Sequence, residues 1–151
     1  MNPPPQRTRP EAREVTILLV EDDTEEVELA RAALELDSAR VRVLVAHDGV
    51  EALGVLNRET ENQRPSLILL DLNMPRMDGR ETLRRLKADP ALCGIPVVVL
   101  TTSTSPADVR ECYDLQASAF VTKPMGLARF REAVRSVRDF FMQTAELPLL
   151  M

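Results

Sequence analysis

A doubly wound α/β fold around a five-stranded parallel sheet is what this sequence predicts, and three observations predict it. Apolar runs recur at residues 16–20, 67–70 and 96–100 without the alternation of a half-solvated strand, as strands buried on both faces require. Segments with apolar residues at helical spacing separate them, joined by short polar connections. Each run also ends in polar groups: Glu21-Asp22-Asp23, Asp71, and Thr101-Thr102-Ser103. In open α/β sheets the rim of strand ends is where ligands bind.

The stretch 67–79, Leu-Ile-Leu-Leu-Asp-Leu-Asn-Met-Pro-Arg-Met-Asp-Gly, organises the rest. Its strand stops at Asp71, and Met74-Pro75 followed by Asp78-Gly79 turns the chain. Proline fixes φ there, and Gly79 is expected to supply φ > 0. Upstream, Thr16 to Val20 forms a strand, and Thr24 is placed to cap a helix with Glu25 and Glu26 in its first turn and Val27, Ala30 and Leu34 inward. Asp37-Ser38 ends that helix. Val41, Val43 and Val45 mark the second strand, His47-Asp48-Gly49 a turn, and Val50, Leu53 and Leu56 the inner face of a short helix. The lone His47 reads as a loop residue.

Downstream, Asp78 and Glu81 resemble a capping box that opens a helix to Lys87, closed by Asp89-Pro90. The strand 96–100 follows, then a helix with Pro106 in its first turn, running to about Leu115. A strand Ala119-Phe120-Val121-Thr122 leads into Lys123-Pro124. A last helix from about Leu127 to Thr144 sets Leu127, Phe130, Val134, Val137 and Phe141 on one face. Five strands alternating with five helices give a flavodoxin-like sheet of order 2-1-3-4-5 with right-handed crossovers.

The chain of 151 residues is 44% hydrophobic and 28% charged, which suits one globular core. Residues 1–13, rich in proline and arginine, are expected as a mobile tail, 14–144 as the domain, and 145–151 as a C-terminal extension. A net charge of -5 offers no basic surface for nucleic acid. No run is long enough to span a bilayer and no apolar signal core is present, so no membrane and a cytoplasmic location are expected. Cys93 and Cys112 lack metal-ligand spacing and read as reduced thiols, while Met74 and Met77 read as loop packing.

Parallel strands bring Glu21, Asp22, Asp71, Thr101 and Lys123 to one rim. Three crowded carboxylates repel unless something compensates, and a hard cation such as Mg²⁺ does so. Asp22 and Asp71 would supply side-chain oxygens, Asn73 its backbone carbonyl, and Glu21 a contact through water. Lys123 adds a point charge able to pair with Asp71 or with a phosphoryl oxygen placed on it, and Thr101 a hydroxyl. A carboxylate so flanked is equipped to attack phosphorus.

The stretch Asp71-Leu72-Asn73-Met74-Pro75-Arg76-Met77-Asp78-Gly79 resembles the phosphoacceptor loop of the receiver domains of two-component response regulators, and the likeness runs from about Thr16 to the end. The intervals from Asp71 to Thr101 and from Thr101 to Lys123 are natural for that family, whose fold is CheY-like. The resemblance implies Mg²⁺-dependent transfer of a phosphoryl group from a histidine kinase to Asp71, in a signalling phosphoprotein rather than an enzyme, with slow autodephosphorylation. It implies that Thr101 shifts toward the acyl phosphate, that Phe120 turns inward as an aromatic switch, and that Lys123-Pro124 is cis. Glu21 replaces the commoner aspartate, and Thr102 a smaller residue beside the pocket.

The lengthened last helix with Phe140-Phe141 and Glu146-Leu147-Pro148 resembles that of small regulators partnering bacterial phytochromes, which implies a bacteriophytochrome as the sensor kinase. Adjacent helical residues point about 100° apart, so part of this end is expected to stay exposed. Such a patch favours a homodimer, with Phe130, Phe140, Phe141 and Leu147 as contacts. With no effector segment read in the sequence, the output is expected to be protein contact by a stand-alone regulator. Other classes fit less well. An aspartate phosphatase wants an acid where Asn73 stands, and Glu21-Asp22-Asp23 would repel the phosphate of a flavin. A degenerate receiver usually lacks Asp71 or Lys123.

Overall fold

The computed structural model describes residues 14–36, 40–60 and 63–148. Five parallel strands, β1 (Val15–Val20), β2 (Val41–Ala46), β3 (Leu67–Leu70), β4 (Val97–Thr101) and β5 (Ala119–Thr122), lie in the order β2-β1-β3-β4-β5. Five helices connect and follow them: α1 (Thr24–Glu35), α2 (Gly49–Arg58), α3 (Gly79–Ala88), α4 (Pro106–Asp114) and α5 (Leu127–Asp139). The expected fold class and strand order are those observed. The expected mobile tail 1–13, the helix stop at Asp37-Ser38, and residues 149–151 of the expected C-terminal extension lie outside the described residues.

The unbroken apolar runs are explained by burial on two faces. Ile17 and Leu19 of β1 pack with Val27, Ala30, Leu34, Phe130 and Val134 on the α1 and α5 side. Leu18 and Val20 point the other way, into a layer with Leu56, Leu83, Leu86 and Cys112. Central β3 is buried along its whole length, two leucines to one layer and Ile68 and Leu70 to the other. Each such side chain contributes about 1.5–3 kcal/mol of burial, so the element that carries Asp71 is among the best anchored.

Local expectations fail at four places, each for a physical reason. Asp23, not Thr24, caps α1: its carboxylate accepts from the amides of Glu25 and Glu26, while Asp23 N donates to Glu21 Oε1 at 3.1 Å. Val50 is exposed, because α2 turns Ala52 and Leu56 inward instead. Leu127 is exposed as well, at the open start of α5. The last helix changes character at Phe140, where a π-helical turn (Phe140–Thr144) closes with Ala145 N donating to Phe140 O at 2.8 Å. The wider turn rotates the side chains at this end away from the α5 register, and leaves Phe140 exposed with its ring edge-on to Phe141.

Asp78 accepts from Glu81 N at 3.0 Å as a capping box requires, but the Glu81 carboxylate pairs with Arg84 and Arg85 rather than reaching back. Ser105 caps α4 ahead of Pro106. Among the described residues no helix is long and apolar enough to cross a membrane.

Candidate functional site

The sheet's hydrogen bonds continue past the strands and place the rim residues. Glu21 N donates to Ala46 O, Asp71 N to Val20 O, and Lys123 N to Thr101 O. Carboxylate oxygens of Glu21, Asp22 and Asp71 consequently lie within 4.8 Å of one another. Asp71 and Glu21 are buried, and Asp22 stands in solvent. Asp71 Oδ1 accepts from Leu72 N at 2.9 Å, which orients the carboxylate. Thr101 is fully buried and its hydroxyl has no hydrogen-bond partner. An orphaned buried hydroxyl costs about 1–3 kcal/mol, a cost that an incoming ligand oxygen would relieve.

Lys123 comes from the far end of the chain, 102 positions after Glu21. Its Nζ is 2.7 Å from Glu21, 2.5 Å from Glu26 and 3.8 Å from Asp71. Thr102 and Pro124 line a cavity of about 280 Å³ beside this ammonium. Asn73 is exposed at the start of the acceptor loop, and the half-buried Phe120 packs against the α2, α3 and α4 layer while its amide donates to Tyr113 Oη at 3.2 Å. Phe130 is buried in the α1–α5 core, and Phe141 and Leu147 are half-buried.

Two expectations about this rim need correction. No cis peptide bond occurs among the described residues, so Lys123–Pro124 is trans, the form an X–Pro bond prefers by about 0.5–1 kcal/mol. Gly126, at φ 94°, supplies the reversal into α5. Gly79 does not adopt positive φ either; it is required for space, as its amide donates to Leu72 O at 2.8 Å with the backbone of Asp71 against it. The left-handed residue in the loop is Arg76, at φ 63°. Its guanidinium clamps the buried Asp48 at 2.6 and 2.7 Å, which offsets a backbone cost of about 1–2 kcal/mol.

Burial dominates the acids' titration. It pushes Glu21 up to about 8, outweighing the Lys123 hydrogen bond that lowers it, with the Asp71 charge adding to the rise. Asp71 is raised by the same burial against the pull of Lys123. Burial alone would lower Lys123, but its bonds to Glu21 and Glu26 hold it above the ordinary lysine value. An all-oxygen, acidic donor set of this kind fits a hard divalent cation.

An acid whose folded value is raised keeps its proton in the folded state while the unfolded chain has lost it. The contribution of Glu21 to stability is therefore full below pH about 4.5 and declines as pH climbs toward about 8. In chelator the melting temperature is expected to fall across that window, and Mg²⁺ to raise it more near pH 8 than near pH 5. A Mg²⁺ effect equal at both ends contradicts this.

Glu26 and the Arg76–Asp48 clamp were not singled out as site residues by pattern. Glu26 is an acid in the first turn of the helix that follows Asp22 directly, which is the signal that could have found it.

A parallel sheet of this order, with acids, an ammonium and a buried hydroxyl gathered at its strand ends, is consistent with the class of phosphoacceptor signalling modules. The chain belongs to the response regulator receiver domain family, whose model matches residues 17–135. Among its relatives, the response regulator Rcp1 of Synechocystis sp. is 38% identical over 87% of this chain and 92% of its own length. The structure of the phosphorylated cyanobacterial phytochrome response regulator RcpA is similar at 40% identity with a TM-score of 0.85, covering 90% of this chain and 99% of that one. The Mn²⁺-bound form of Rcp1 superposes with a TM-score of 0.82 at 38% identity, over 89% and 99% of the two chains.

Proposed function

We propose that this receiver accepts a phosphoryl group from the phosphohistidine of a sensor histidine kinase onto Asp71, with Mg²⁺ at the acidic cradle, and signals through protein contacts. The observation that carries the reading is the approach of Lys123 to Asp71 at 3.8 Å beside the buried, unpartnered Thr101 hydroxyl. A carboxylate oxygen of Asp71 attacks phosphorus, the new O–P bond forming as the P–N bond breaks. The imidazole leaves with the electron pair and takes up a proton. Lys123 pairs with one phosphoryl oxygen and the Thr101 hydroxyl donates to another, which satisfies the orphaned group.

Asp22, Asp71 and the Asn73 carbonyl would hold the ion, with Glu21 acting through water. When bound, the ion neutralises charge building on the phosphoryl oxygens. Thr102 narrows access to the pocket and Phe120 follows Thr101 inward, so that phosphorylation biases the surface formed by α4, β5 and α5. The similarity to the phytochrome response regulator RcpA supports a pathway fed by a bacteriophytochrome-type kinase, and the reading places that pathway in the cytoplasm.

Incubated with Mg²⁺ and a small acyl phosphate, the wild-type chain is expected to gain the mass of one phosphoryl group, and Asp71→Asn none. An equal gain in Asp71→Asn overturns the assignment.

The reading takes 14–144 as the receiver unit and includes a homodimer seated on the C-terminal end. Phe140 is its exposed anchor, 52% accessible, with the ring of Phe141 edge-on to it and the half-buried Leu147 further along the chain; Phe130, turned into the core, is not available to it. Removal of residues 140–151 is expected to yield monomers by light scattering, and association unchanged by the truncation defeats this part.

A further inference from the structure

The Lys123 ammonium has three acids within reach and divides itself unequally among them. Glu26 Oε2 lies 2.5 Å from Nζ and Glu21 Oε2 2.7 Å, while the nearer Asp71 oxygen is 3.8 Å away. Glu26 belongs neither to a strand end nor to the acceptor loop. It sits on the first turn of α1, where Asp23 Oδ1 accepts from the amides of Glu25 at 2.9 Å and Glu26 at 3.1 Å and so fixes where that turn begins. Glu26 and Lys123 both line the cavity of about 280 Å³, together with Thr102 and Met125.

An ammonium drawn fully onto Asp71 would occupy an oxygen that a cation needs, and would repel that cation at short range. A carboxylate that draws it outward leaves the oxygens free. We propose that Glu26 is a positioning residue: it draws the Lys123 ammonium off Asp71 and so keeps the Asp71 carboxylate, beside Asp22, open to a divalent cation. This rests on reading the rim as a receiver's cation and phosphoryl pocket. The exposed Glu28 carries the same charge on the same helix without pairing to Lys123, and serves as a control for charge alone.

The test is Mn²⁺ affinity of the full chain, followed by the electron paramagnetic resonance of the free ion, in wild type and in Glu26→Gln, Glu28→Gln, Lys123→Met and the Glu26→Gln/Lys123→Met pair. Glu26→Gln is expected to weaken binding about fivefold more than Glu28→Gln, and that excess to vanish once Lys123 is Met, the signature of coupling through one contact. Equal weakening by the two glutamine variants, or an undiminished excess in the Lys123→Met background, overturns the proposal. Failure of the underlying reading looks different: the wild type would then bind no Mn²⁺, or Asp71→Asn would bind it as tightly as wild type does.

Discussion

Gly79→Ala is expected to destabilise the fold by about 3 kcal/mol or more, and to cut phosphoryl uptake by at least roughly tenfold. A Cβ at this position would stand 2.2 Å from the Asp71 carbonyl oxygen and 2.7 Å from Leu72 Cα. Both neighbours are backbone, so no rotamer change relieves the clash. The chain must move, and what moves is the segment that holds the acceptor carboxylate. The same displacement would break the bond from Gly79 N to Leu72 O and disturb the entry into α3, which Asp78 caps. Denaturant midpoints of the two proteins check the stability part, and an unchanged midpoint contradicts it.

Arg138→Ala is expected to cost about 3 kcal/mol. The guanidinium is 5% exposed, and its Nη1 donates to the carbonyls of Ala33 at 3.3 Å, Leu34 at 3.2 Å and Leu36 at 2.5 Å. These are the open carbonyls at the end of α1, a helix with no basic residue in its own last turn. Arg138 of α5 thus supplies from outside the positive end-group that α1 lacks, and Asp139 balances part of its charge at 2.9 Å. Truncation leaves the buried bonds to Ala33 and Leu34 unmade and the part-buried Leu36 carbonyl without its donor. Arg138→Lys keeps the charge without the fork and is expected to recover only part of the loss. A loss below about 1 kcal/mol on truncation, by urea denaturation, would show that water satisfies those carbonyls equally well.

Arg138 also shows where reading the chain from sequence stops. Periodicity makes the apolar face of a helix visible, so Phe130 and Val134 were legible, whereas a charged residue at a core position reads as solvated surface. The strands were legible because burial on two faces leaves unbroken runs such as 67–70, and the crossovers of a parallel sheet then allow few strand orders. Once the order is known, Glu21, Asp22, Asp71, Thr101 and Lys123 must meet at one rim.

The choice of partner within that rim is not dictated in the same way. Lys123 was matched with Asp71 because both end strands, yet a flexible ammonium settles among all the acids it can reach, and the nearest is Glu26 on α1. Caps fail for a related reason. Asp23 and Thr24 are both good capping residues, and the hairpin of Glu21 Oε1 onto Asp23 N decides between them. Arg76 lies where a glycine would sit without strain, and only its partner Asp48, 28 positions earlier, accounts for it.

The central claim is that the phosphoryl group resides on the carboxylate of Asp71, and chemical mapping tests it most directly. Borohydride reduces an acyl phosphate to the alcohol, so phosphorylated protein treated this way and sequenced by mass spectrometry is expected to carry homoserine at position 71. Homoserine at another aspartate, or aspartate unchanged at 71 in protein that had gained a phosphoryl group, would contradict the account.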